Sequence, residues 1–136
     1  MSNRLIRSGL EQIVATWAAA KSPAIPVAYD NQVFTPPEGR YLRVLFLPGQ
    51  TTSEDLDGLQ RTFVGVFQVS LYMPNGQGAG ASHALEEELI ALYPKETEIV
   101  SGGLRVRLTR PMSAAVSIPG TTHYHTPISC AYRADN

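Results

Sequence analysis

Two short stretches of this chain carry the residue types and spacings that chemistry asks for. The first runs from Met73 to Tyr93, MPNGQGAGASHALEEELIALY. Gly76, Gly78 and Ala81 satisfy G-x-G-x-x-G/A, in which glycines let a pyrophosphate approach a helix N-terminus. Glu96 or Glu98, about 20 residues on, would then supply the ribose-binding acid. Gly80, Ser82 and Ala84 come close to the G-x-S-x-G of a hydrolase nucleophile elbow. The second stretch is THYHT. On a strand, His123 and His125 point the same way about 7 Å apart, the start of a zinc site.

Context weighs against each of these. A dinucleotide turn joins a buried parallel strand directly to a helix, and such strands are apolar throughout. Here the preceding segment, Arg61 to Tyr72, alternates. Phe63, Phe67, Val69 and Leu71 share one face with Gly65 between them, and Thr62, Gln68 and Ser70 dilute the other. Pro74-Asn75 delays the first glycine, and only one β-loop-α-β unit is present. A nucleophile elbow needs a larger α/β sheet than this chain builds. Ser82 therefore reads as an N-cap or first-turn residue, His83 as a solvent-facing helical residue, and Gly76 to Gly80 as a flexible connection. A small nucleotide- or ligand-binding domain or enzyme using Gly76 to Ser82 stays open as the alternative function. The histidines have no third ligand nearby. Cys130 falls on the opposite strand face, with Ile128 and Tyr132, as a small core residue. No catalytic, cofactor-binding or metal-binding residue is assigned.

The arginines are more suggestive. Arg105, Arg107 and Arg110 make one basic edge, to which Arg43 or Arg61 can add. A nucleic-acid site would interleave aromatic platforms and carry a basic balance, whereas the net charge is −1. No nucleic-acid partner and no cofactor are expected. The usual reading is a solvated strand face that also discourages edge-to-edge aggregation; a protein interface, where arginine is enriched, is the functional alternative, with Arg105, Arg107 and Arg110 as its candidates.

The elements that must position them follow from periodicity. A chain of 136 residues, 43% hydrophobic and 17% charged, fits one soluble domain spanning 1–136. A single cysteine allows no internal disulfide. Arg4, Arg7 and Glu11 interrupt the N-terminal apolar positions, so no signal peptide is expected. No apolar run approaches the ~20 residues of a membrane span. Ile6, Leu10, Ile13 and Trp17 predict a first helix that Ser22-Pro23 stops. After a short extended piece, IPVAYDNQVF, the segment Tyr41 to Leu47 reads as a central strand covered on both faces. QTTSEDLDGLQ reads as an exposed loop before the strand Arg61 to Tyr72. Leu85, Leu89 and Leu92 predict a second helix, closed by Pro94. Leu104, Val106 and Leu108 face inward on the next strand, with Arg105, Arg107 and Thr109 outward. Ala114 to Ile118 and Thr122 to Arg133 complete the list, with Pro119-Gly120 as a turn. The order is α-β-β-β-α-β-β-β. It predicts a single α+β domain, a mostly antiparallel or mixed central sheet flanked by two main helices.

The succession FTPPEGRYLRVLFLPGQT, GVFQVSLYMPNGQGAG and LEEELIALYP resembles the phage tail-terminator family, a group of phage and prophage proteins similar to the lambda minor tail protein U. The resemblance spans most of the chain, and its motifs are structural punctuation rather than catalytic signatures. It implies an α+β fold and an assembly role without catalysis or cofactor. Members form a hexameric ring on the last ring of the tail tube, stop its polymerisation and present a surface to the head-tail connector. In such a ring the outward Arg105, Arg107 and Arg110 and the acidic SEDLD stretch, with Glu54, Asp55 and Asp57, are opposite in charge and are the candidate contacts between subunits or with the tube. The partners so implied are the protein itself, the tail tube protein and the connector, with no membrane. The implied location is the host cytoplasm during assembly and then the virion tail. A neck or connector role stays open beside the terminator role.

Overall fold

The computed structural model describes residues 3–30, 32–53, 61–76, 78–95, 98–101 and 103–135. Helix α1, Asn3–Ala20, buries Ile6, Leu10, Val14 and Ala18. That stripe is rotated from the expected one, since Ile13 and Trp17 pack only partly against the core. The physical reason is the unbroken i, i+4 row of the buried set, which lies in line on one face of a helix.

The chain continues as β1 (Val27–Ala28), β2 (Tyr41–Pro48), β3 (Thr52–Ser53), β4 (Arg61–Pro74), α2 (Gly80–Leu92), β5 (Glu98–Ser101), β6 (Leu104–Ala114) and β7 (His123–Asp135). The strands form a seven-stranded sheet in the order β1-β2-β4-β7-β6-β5, with β3 also against β4. Among the described residues, only β1 and β2 run parallel. This is the expected α+β single domain with a mixed sheet and two flanking helices, although several strand positions differ. Thr52 and Ser53 pair with β4 inside the segment read as an exposed loop, so four strands precede α2 instead of three. Residues Glu98 to Ser101 form an unanticipated edge strand. Ala114 to Ile118 is not a strand of its own: β6 runs through Ala114, and only Ile118 bridges to His125.

Proline chemistry accounts for that last difference. The Pro127 carbonyl accepts a hydrogen bond from the Ala115 N–H at 2.8 Å, on the side of β7 away from β4. The N–H that proline lacks would face the same side, so a regular ladder cannot continue there.

One sheet face carries the core. Leu42, Val44, Phe67, Val69, Leu71, Ile128 and Cys130 are buried there with the apolar faces of α1 and α2. Gly65 also lies on this face, opposite Tyr132. A Cβ at Gly65 would stand 2.5 Å from the Tyr132 hydroxyl and 2.6 Å from the Leu47 carbonyl oxygen. The missing side chain is what lets the Tyr132 ring lie across β4 and stack on Phe46 at 5.3 Å. The expectation that β2 is covered on both faces fails. Both helices lie on one side, which leaves Leu45 half-buried and Leu47 49% exposed. At the β1 edge, the Asp30 carboxylate accepts the Phe46 N–H at 3.1 Å and so occupies a donor that β1 is too short to pair. Among the described residues, no helix is long and apolar enough to cross a membrane.

Candidate functional site

The glycine loop is a connection between elements. Gly76 and Gly78 have φ of +89° and +74°, so the turn out of β4 uses the left-handed region that only glycine enters freely. Gly80 needs no such freedom, because it is the first residue of α2. The Asn75 side chain donates to the carbonyls of Gly120 and Thr121 at 3.0 and 3.1 Å, and the Tyr124 hydroxyl donates to the Gly78 carbonyl at 3.1 Å. These bonds tie the loop to the turn before β7. The strand that leads into it, β4, is antiparallel to both β2 and β7, so the parallel βαβ frame of a dinucleotide turn is missing. Ser82 is 2% exposed inside α2, whose N-cap is Ala79 without a side-chain bond, so Ser82 is a first-turn residue and not a cap. His83 faces solvent, with its side chain 71% exposed.

His123 and His125 do share the outer sheet face, opposite Pro74 and Tyr72. His123 Nε2 lies 2.9 Å from the Gly39 carbonyl, which can only accept, so this nitrogen carries a proton. In the neutral ring, Nδ1 then accepts from the Thr122 hydroxyl at 3.0 Å. His125 stacks on Tyr72 at 4.7 Å, and Tyr72 stacks on Tyr41 at 4.5 Å. Phe34 covers Tyr41 from the loop side. The ring stack therefore closes one end of the outer face by packing. Among the described residues, no cluster of three or more histidine, cysteine or acidic side chains could hold a metal. Cys130 is buried on the core face, and burial pushes its thiol up to about 11.

The arginines converge on the other end of that face. Arg105, Arg107 and Arg110 stand opposite Asp135, Arg133 and Ala131. Strict alternation would place Arg110 with Leu108 inside. A register shift between the two returns Arg110 to the outer face. Two of these side chains have partners within the chain: Arg105 lies 3.5 Å from Glu98, and Arg107 lies 3.8 Å from Asp135. Burial pulls the Asp135 carboxyl up, but the Thr62 hydroxyl at 2.8 Å, with Arg133 and Arg107, outweighs it and holds the group below the usual carboxylate range. Exposed pairs of this kind contribute about 0–1 kcal/mol each, so the arginines are not needed to hold the fold. Glu54, Asp55 and Asp57 lie outside the described residues.

Two surfaces escaped sequence reasoning. Leu45, Leu47, Val64 and Val66 form an apolar patch on the outer face, with Leu47 paired to Val66. Apolar residues on both faces of β2 and β4 are visible in the sequence, but not which face the two helices leave open. The second is a groove of about 730 Å³ along α1, where Ile13 and Trp17 meet Leu92, Ile99 and Val100. None of its described lining residues is charged.

This geometry offers broad contact surfaces and, among the described residues, no convergent acid, base or nucleophile. Comparison with known proteins is consistent with that. A family model described as phage tail terminator protein matches residues 5–132. One solved structure, 41% identical in sequence, superposes over 98% of this chain and 96% of its own with a TM-score of 0.84. No curated protein matches significantly.

Proposed function

This chain belongs to the phage tail terminator family, and from that premise we propose that it closes as a ring over the end of the tail tube. It is a structural component of tail assembly. In the proposed role, the ring ends tube polymerisation and presents the joining surface for the head-side connector. The observation that carries this reading is a sheet with one face sealed by both helices and the other, beyond the ring stack at Tyr41 and Tyr72, left open among the described residues and set with outward arginines. A surface that is not needed for folding is available for assembly. Arg105, Arg107 and Arg110 are its contact residues in this reading, and Glu54, Asp55 and Asp57 supply the opposite charge to a neighbouring subunit or to the tube.

Electron microscopy of tails from a producing strain that lacks this chain tests the role. Overlong tubes without heads are expected, and tails of normal length with heads attached would refute it. The double variant Arg105→Glu, Arg107→Glu tests the contact. It should fold, because each arginine contributes only an exposed pair, yet fail to restore normal tails. Full restoration would remove these arginines from the contact and leave the role itself standing.

A further inference from the structure

We propose that the uncovered patch on the outer sheet face seats helix α2 of a second copy of this chain, so that copies pack head to tail. This rests on the ring reading above and names its interface. The seat has an apolar centre of Leu45, Leu47, Val64 and Val66, in which Leu47 is 49% and Val64 39% exposed. Arginines frame it. Arg43 precedes Leu45 on the same side of β2, Arg133, which also pairs with Asp135, stands opposite Val64, and Arg110 lies one strand beyond Val66 across Ala131. An apolar centre with arginine around it is the composition of a protein interface.

The solvent face of α2 is complementary in shape and charge. Ala84, Glu88 and Ala91 fall on one stripe at i, i+4 and i+7, with Glu87 beside it, and all four are exposed. Alanines let a helix lie close to a sheet. Glu88 already pairs with Lys21 at 2.8 Å and so brings a cation to this face, which leaves Glu87 as the carboxylate that meets the arginines in this packing. The buried side of the same helix, Leu85 and Leu89, packs on the core face of the sheet. The two surfaces thus lie on opposite sides of one layer, and no chain can bring its own α2 to its own patch. Contact between two different patches is heterologous and closes into a ring when the rotation allows. The neighbour's helix also supplies the second covering layer that this sheet lacks.

Cysteine cross-linking tests the assignment. Val64→Cys and Ala84→Cys variants are purified separately, mixed and oxidised, both as free protein and on tails assembled in a producing strain. Cys130 is wholly buried and does not compete. A disulfide between the two variants, with neither variant linking to itself, is the expected result. The double variant should give a ladder of linked chains that ends at the ring. A Val64→Cys self-link would make the contact two-fold and overturn the proposal, and a link from Val64→Cys to the tube protein would assign the patch to the tube. Absence of the mixed disulfide from free protein and from normally terminated tails would overturn the interface while leaving the terminator role intact. As an independent readout, Arg110→Glu should weaken association by about tenfold or more, and Glu87→Arg should recover part of it.

Discussion

At the residue scale, Tyr132 joins an opportunity to a cost. Its ring occupies the space left by Gly65, yet its buried hydroxyl has no hydrogen-bond partner among the described residues. The gain is ring burial and stacking on Phe46. The cost is an unpaired polar atom, about 1–3 kcal/mol. Tyr132→Phe keeps the ring and removes the oxygen, so it should raise unfolding free energy by about 1 kcal/mol. Urea denaturation of the two proteins decides it, and a loss of stability would mean that the hydroxyl has a partner. Gly65→Val should do the reverse, because one of the blocking atoms is the Leu47 carbonyl oxygen, which cannot swing aside. Overpacking of that kind costs about 1–3 kcal/mol. Cys130 adds a kinetic observable. Burial leaves the thiolate scarce near neutral pH, so labelling by a disulfide reagent at pH 8 should be slow and track opening of the β4–β7 region. Labelling as fast as an exposed thiol would contradict the buried position.

At the element scale, the helices are locked to each other as well as to the sheet. The Tyr93 hydroxyl, at the end of α2, donates to the Leu10 carbonyl of α1 at 2.7 Å inside the core. Burial keeps this phenol neutral far above its ordinary range. Tyr93→Phe should cost about 1–2 kcal/mol in urea melts, since it loses a buried bond and leaves an acceptor less satisfied. An unchanged midpoint would show that the tie contributes nothing. The sequence disclosed such elements unevenly. Strict alternation in LRVRLTR and in Arg61 to Tyr72 placed β6 and β4 and their inward residues correctly. Alternation failed at Arg110, because a bulge is a matter of pairing and leaves no mark on the parity of one strand. The strand β5 was invisible for a similar reason, since four residues are too few for a period to register. The α1 stripe was misplaced by one position because Ile13 and Trp17 are more hydrophobic than Val14 and Ala18. Line of contact, and not side-chain size, decides which row a flat sheet buries. Of the candidate site, the outward arginines were legible. The apolar patch was not, because Tyr41 to Leu47 looks the same whether a second helix layer belongs to the chain or to its neighbour.

At the scale of the whole molecule, the arrangement of charge matters more than its sum. The net charge of −1 neither drives copies apart nor draws them together over distance. Locally the outer face carries Arg43, Arg105, Arg107, Arg110 and Arg133 with Glu98 and Asp135 among them, while the helix side carries both signs, Glu87 and Glu88 together with Lys21 and Arg7. In the proposed packing the Glu87 carboxylate meets arginines of the neighbour's outer face, whereas copies meeting sheet to sheet would oppose arginine to arginine. Because the rim charges are exposed, their attraction is screened over a Debye length that shrinks from about 30 Å at 0.01 M salt to about 3 Å at 1 M. Association measured by sedimentation should then weaken steadily as salt rises, and the Arg105→Glu, Arg107→Glu variant should show a flattened or inverted dependence. If high salt instead strengthened association of the parent protein, the apolar patch alone would govern assembly, and the arginines would serve only the edge of a folded sheet.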